Sequence, residues 1–219
     1  MRTAEICRKT KETEIKISVT LDRRAEPADV RVESVDVRTE PDDVQAEPAN
    51  GKINVKCGFL SHMLTLFAFH SGFTLNIEAD GDTETDYHHL TEDLGIVLGC
   101  CIKQALGDGC GIRRYASAFL PMDETLVLVA LDVGGRVYLN YDVNIAQNKV
   151  GDFDTELCEE FLAGLCRSLG LTLHVKQFYG SNAHHIIEAI FKGLGRALGD
   201  AVRIDAAGYG GIPSSKGLI

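Results

Sequence analysis

The first clear alternation along the chain is "TEIKISVTL" (13–21), which sets Ile15, Ile17, Val19 and Leu21 on one side and polar residues on the other. A period of two is what a half-buried strand needs. From Phe59 to His70 the spacing changes: Phe59, Met63, Leu66 and Phe67 fit one helical face, and Gly72 follows as a stop signal. "FTLNIEA" (73–79) alternates again as a strand, and a long helix is predicted from His88 to Leu106. The stretch "GIRRYASAFLPMDETLVLVALDVGGRVYLNYDV" (111–143) reads as three strands broken at Pro121 and at Gly134-Gly135. A helix from Asp154 to Leu169, the strand "LTLHVKQF" (171–178), a helix over 182–201 and a Gly-rich tail complete the pattern.

The pattern repeats itself. Setting "SHMLTLFAFHSGFTLNIEADGD" (61–82) against "EEFLAGLCRSLGLTLHVKQFYG" (159–180) without a gap matches Gly72 with Gly170, Thr74 with Thr172, Leu75 with Leu173 and Ile77 with Val175. Each copy is followed by a helix that opens with two histidines and a glutamate, His88-His89 with Glu92 and His184-His185 with Glu188. The repeated unit is strands, helix, strand, helix. It predicts an α+β fold of two half-domains, 1–111 and 112–219, joined in one compact domain whose four long helices pack between or against two sheets.

Residues 22–50 stand outside this pattern. They hold nine acids, four arginines and three Glu-Pro dipeptides, a net −5 that is half of the chain's −10. Such a segment reads as a solvated acidic insertion, with Val30, Val32, Val35 and Val37 leaving room for a short hairpin. The overall acidity argues against a nucleic-acid surface, which needs clustered Lys and Arg. No apolar stretch has the length of a membrane span or a signal peptide, so a cytoplasmic protein is expected. Seven cysteines without a CxxC pair fit reduced thiols, most of them buried as small apolar groups.

The doubled histidines carry the candidate chemistry. On a helix, residues three or four apart share a face while adjacent ones diverge. Glu92 can therefore share a metal with His88 or with His89, but one ion cannot easily take both. That geometry favours two sites, or a site completed by another subunit. Imidazole and carboxylate donors suit Mn²⁺, Fe²⁺, Co²⁺ or Zn²⁺. A single motif of this kind is also how a solvated helix start looks; its duplication is what favours ligation. The alignment pairs His62 with Glu160, nominating one further donor for each set. His174, opposite Asn76, reads as structural.

Taken together, "RKTKET" (8–13), "GFLSHML" (58–64), "HHLTED" (88–93), "GIRRY" (111–115), "GRVYL" (135–139), "NAHHIIEAIFK" (182–192) and "IPSSKG" (212–217) resemble the imidazoleglycerol-phosphate dehydratase family. The resemblance covers nearly the whole chain except 22–50. It implies a fold like ribosomal protein S5 domain 2, duplicated, and a Mn²⁺ enzyme of histidine biosynthesis that dehydrates imidazoleglycerol phosphate. It also implies two ions per subunit and a 24-subunit shell with sites completed between subunits. The implied ligands are His62, His88, His89, Glu92, His184, His185 and Glu188, with the eighth position falling on Glu160. No carbonyl activates the C–H bond to be broken, so a metal on the substrate's imidazole would act as Lewis acid and template. Glu12 is the implied acid–base group, with His88 and Glu188 catalytic beside it. Glu12, His62 and His70 are implied substrate contacts, and Arg114, Arg136, Lys192, Ser214 and Lys216 the phosphate set.

Four departures from the family pattern stand out: Ser61 and Tyr87 in place of acids, Leu90 in place of a common Thr, and Glu160 in place of a His. Two other readings remain open. One is a non-catalytic metal-binding assembly protein of the same fold, against which Glu12 and the phosphate set argue. The other is a carboxylate-bridged di-metal oxidase, against which the strands and the His-before-Glu order argue.

Overall fold

The computed structural model describes residues 1–22, 51–205 and 210–217. The acidic segment, with the hairpin expected around Val30–Val37, lies almost entirely outside the described residues. The first half comprises β1 (Thr3–Lys9), β2 (Thr13–Thr20), β3 (Ile53–Val55), α1 (Gly58–Ser71), β4 (Thr74–Gly81) and α2 (His88–Leu106). The second comprises β5 (Tyr115–Met122), β6 (Thr125–Asp132), β7 (Tyr138–Asp142), the short pair β8 (Lys149–Val150) and β9 (Phe153–Asp154), α3 (Leu157–Leu169), β10 (Thr172–Tyr179) and α4 (Ala183–Ala201).

The sheets share one topology, β1-β2-β4-β3 and β5-β6-β10-β7. In each, a hairpin pairs antiparallel with the strand after the first helix, and the short third strand then pairs parallel with it. The duplication read from the sequence is therefore a duplication of register as well. Gly72 and Gly170, aligned in the sequence, end α1 and α3 with φ of 73° and 80°. That left-handed cap costs little without a Cβ and turns the chain into the next strand.

The helices interlock across the halves. α2 lies on β1 and β2 but packs on α3, while α4 lies on β5 and β6 but packs on α1. Glycines set the spacing: a Cβ on Gly95 of α2 would sit 2.3 Å from the Phe161 carbonyl oxygen of α3, and one on Gly99 2.8 Å from that of Leu165. The same holds between α4 and α1, where Gly199 would meet the Ser71 carbonyl oxygen at 2.3 Å. A single hydrophobic core results, from Ile17 and Ile77 of one sheet, through Phe67, Phe161 and Phe191 of the helices, to Val129 and Val175 of the other.

Some expected boundaries move. Pro121 lies inside β5, which is an edge strand where a missing N–H is tolerated. The turn instead falls at Asp123, whose φ is 49°. α3 begins at Leu157, not Asp154, because Phe153 and Asp154 pair with β8. β1 and β3 had no separate signal in the pattern. Of the seven cysteines, all free, Cys57, Cys101, Cys158 and Cys166 are buried. Among the described residues no helix is long and apolar enough to cross a membrane.

Candidate metal centre

The close approach of α1 to α4 brings His62 to the first turn of α4. There the Asn182 side chain accepts hydrogen bonds from the backbone N–H of His184 (2.9 Å) and of His185 (3.4 Å), capping the helix. The cap fixes where the helix starts, and four residues on Glu188 shares a face with His184. His184 Nε2 is 3.0 Å from Glu188 Oε2, and His62 Nε2 is 3.7 Å from the same oxygen. All three donor atoms lie within 4.8 Å of one another. An ion with bonds of about 2.1 Å holds neighbouring donors roughly 3 Å apart, so two imidazole nitrogens and a carboxylate at this spacing fit a divalent transition metal.

Glu188 is buried, and Lys192 Nζ sits 2.5 Å from its other oxygen. Burial pushes the Glu188 carboxyl up, but the Lys192 ammonium and His184 outweigh it and hold the group below the usual range. The carboxylate is thus kept ionised and aimed at the two imidazoles.

The adjacent histidines diverge as the helical geometry requires. His185 turns away from Glu188 and brings Nδ1 within 2.7 Å of Glu124 Oε2. In the first motif, His89 Nδ1 is 3.0 Å from Asp82 Oδ2 and 3.9 Å from Glu12 Oε2. His88 touches the His89 ring edge-on, and Glu92 is paired with Arg167 of α3 at 2.5 Å. Glu160 is half-buried on α3. Among the described residues His88, His89, Glu92, Glu160 and His185 do not join the cluster of His62, His184 and Glu188. His62 therefore meets the second motif, an assignment that the spacing leaves open.

The expected phosphate set divides. Lys192 is beside Glu188. Arg114 is buried, gives Nε and Nη2 to the two oxygens of Asp132 (2.7 and 3.1 Å) and Nη1 to the Pro213 carbonyl (2.9 Å). Its φ of 72° is a strained conformation for a non-glycine residue, costing about 1 kcal/mol. Arg136 Nη2 reaches Asp132 at 3.4 Å but is otherwise exposed. Ser214 accepts from the Lys216 N–H at 3.2 Å, in the segment that Arg114 ties down through Pro213. Arg114 and Arg136 thus meet at Asp132, and through Pro213 Arg114 ties down the segment that carries Ser214 and Lys216.

His70, in the last turn of α1, is half-buried. Burial first, then the charges of Lys192 and Arg196, push its pKa below 6.5. A site-resolved NMR titration is expected to place its midpoint below that value. The sign follows: the folded state resists protonating His70, so its contribution to stability is full above about pH 6.5 and is lost as pH falls through the lower folded midpoint. A midpoint at or above 6.5 would contradict this.

Several polar contacts have no signal in the sequence pattern, among them the partner of Tyr87, which the sequence marks only as a departure from an acid. Tyr87 donates to Asp152 at 2.6 Å across the halves, and that carboxylate pushes the phenol up to about 12. Arg167, Asp82 and Glu124 are further partners of the motif residues Glu92, His89 and His185. For Glu124 a signal existed: "ETEIKIS" (12–18) and "ETLVLVA" (124–130) place the same Glu-Thr pair before equivalent strands.

The imidazoleglycerol-phosphate dehydratase family model matches residues 55–198. The imidazoleglycerol-phosphate dehydratase of Xanthobacter autotrophicus is 48% identical over 219 residues, covering 100% of this chain and 99% of that protein. That of Listeria welshimeri is 45% identical, covering 100% of each. Among solved structures, the enzyme of Staphylococcus aureus aligns with a TM-score of 0.74 at 39% identity, over 93% of this chain and 99% of that one. The enzyme of Pyrococcus furiosus aligns with a TM-score of 0.75 at 36% identity, over 98% and 100%. With its duplicated fold, its histidine–glutamate cluster and these full-length likenesses, the chain belongs to the imidazoleglycerol-phosphate dehydratase family.

Proposed function

We propose that the chain catalyses the removal of water from imidazoleglycerol phosphate to give imidazole acetol phosphate, as a Mn²⁺-dependent hydro-lyase of histidine biosynthesis. The observation that carries this reading is the cluster of His62, His184 and Glu188 with Lys192 alongside, a metal-binding donor set next to a cation. When bound, the metal supplies Lewis acidity towards the substrate's imidazole and a template that orients it.

The chain's own residues do the rest. His62, His184, His185 and Glu188, with His88, His89, Glu92 and Glu160, are the ligands of two ions per subunit. The failure of these donors to converge within one chain favours sites completed between copies, in an assembly of 24 subunits. Arg114, Arg136, Lys192, Ser214 and Lys216 hold the phosphate. Arg114 and Asp132 form a preset fork, leaving guanidinium hydrogens to spare beside the exposed Arg136. Glu12, just before β2 and with its side chain 55% exposed, moves the proton. His70 contacts the substrate as a neutral imidazole. Residues 1–111 and 112–219 are the two half-domains of a single unit, and the protein works in the cytoplasm.

The test is product formation from imidazoleglycerol phosphate after chelator treatment and again with Mn²⁺ restored. Turnover that vanishes with the chelator and returns with Mn²⁺ is expected. A folded, metal-loaded protein without turnover would support instead a binding role for the same fold.

A further inference from the structure

The two halves treat equivalent histidines differently. Glu12 precedes β2 as Glu124 precedes β6, each followed by a buried threonine, Thr13 and Thr125. Asp82 follows β4 as Gly180 follows β10. In the first half, His89 Nδ1 is held by Asp82, and Glu12 stays 3.9 Å from it, beyond hydrogen-bond reach. In the second half glycine stands where Asp82 would be, and His185 Nδ1 is held by Glu124 instead.

Glu124 is fully committed to this task. Its Oε1 accepts the backbone N–H of Ser181 (3.1 Å) and of Asn182 (2.8 Å) and the Thr125 hydroxyl (3.0 Å), which leaves Oε2 for His185. Three donors on one oxygen are the surroundings that an ionised carboxylate takes. An ionised carboxylate can only accept, so the hydrogen between Glu124 and Nδ1 belongs to the imidazole. The other ring nitrogen, Nε2, has the exposed Asp123 carboxylate 3.8 Å away.

We propose that Glu124 is the positioning residue of the centre, fixing His185 as the Nδ1–H tautomer so that Nε2 presents its lone pair to the metal. This rests on the reading of His185 as a ligand. The orienting carboxylate is supplied by different loops in the two halves: Asp82 from the strand–helix loop in the first, Glu124 from the hairpin turn in the second. The duplicated glutamates have accordingly parted, Glu124 to orient an imidazole and Glu12 left free to exchange a proton.

Glu124→Gln separates orientation from loop support. The amide oxygen can keep the bonds from Ser181, Asn182 and Thr125, while its NH₂ faces Nδ1 and demands the opposite tautomer. Histidine-labelled, metal-free protein at pH 8.5, studied by magic-angle-spinning NMR and assigned by the signals missing in His185→Asn, is expected to show Nδ1–H in the wild type and Nε2–H in Glu124→Gln. Mn²⁺ affinity by calorimetry should fall about 10–100-fold in that variant, with Tm little changed. An Nε2–H signal in the wild type overturns the proposal, whether or not the variant folds. So does a Glu124→Gln variant whose Mn²⁺ affinity stays within threefold of the wild type. Unchanged affinity in His185→Asn would instead overturn the ligand reading on which the proposal rests.

Discussion

Replacing Glu188 with alanine is expected to lower kcat/KM by roughly a thousandfold, about 4 kcal/mol of transition-state stabilisation, with loss of bound Mn²⁺. The carboxylate is the junction of its surroundings: His184 at 3.0 Å, His62 at 3.7 Å and Lys192 at 2.5 Å all converge on it. Alanine removes the one anionic donor and leaves Lys192 facing two imidazoles with no counter-charge, so residual affinity for a cation should also suffer. Glu188→Gln keeps the shape and loses the charge, and it is expected to follow alanine in metal content while unfolding closer to the wild type. Metal analysis, steady-state kinetics and thermal unfolding on the three proteins check this. Turnover within tenfold of the wild type in either variant would remove the cluster from the centre of the chemistry.

The largest expected loss of stability comes from a single methyl group. In Gly95→Ala the new Cβ would lie 2.3 Å from the Phe161 carbonyl oxygen and 3.1 Å from its carbon. Alanine gains about 1 kcal/mol in helix propensity over glycine. Against it stands an overlap with backbone, which only a shift of α3 can relieve, at a cost of about 3 kcal/mol or more. The overlap wins, and Tm is expected to fall by about 5–10 °C. Gly58→Ala is the control, because nothing lies within 4 Å of a Cβ at that first residue of α1. Its Tm should hold or rise. Equal Tm changes for the two variants would mean that the helices have more room than their separation indicates.

Where the sequence was legible, burial had left a periodic trace. β2 buries every second residue from Thr13 to Val19, and α2 and α4 begin and end within a residue of their expected limits. β1 was illegible because its inward positions are Ala4, the half-buried Ile6 and Arg8, which pairs with Asp93 of α2. Three residues of β3 are too short for any period. In the site, the duplicated motif pointed to His184, Glu188 and the divergence of His185. It did not reveal that His62 lies beside the second motif, since that depends on α1 crossing to α4 rather than to α2. The pairing of Glu124 with His185 was hidden for a related reason, as the two lie 61 residues apart and meet only when the turn before β6 closes on the loop before α4.

The interlocked helices also say something about descent. α1 is covered by α4 and α2 by α3, so neither half closes its own core. A forebear carrying only one copy of the unit would have had to borrow that cover from a twin, as a two-fold homodimer with identical histidines on both sides. Two copies within one chain keep that geometry without being bound by its symmetry. A residue such as Gly180 can therefore differ from its counterpart, Asp82.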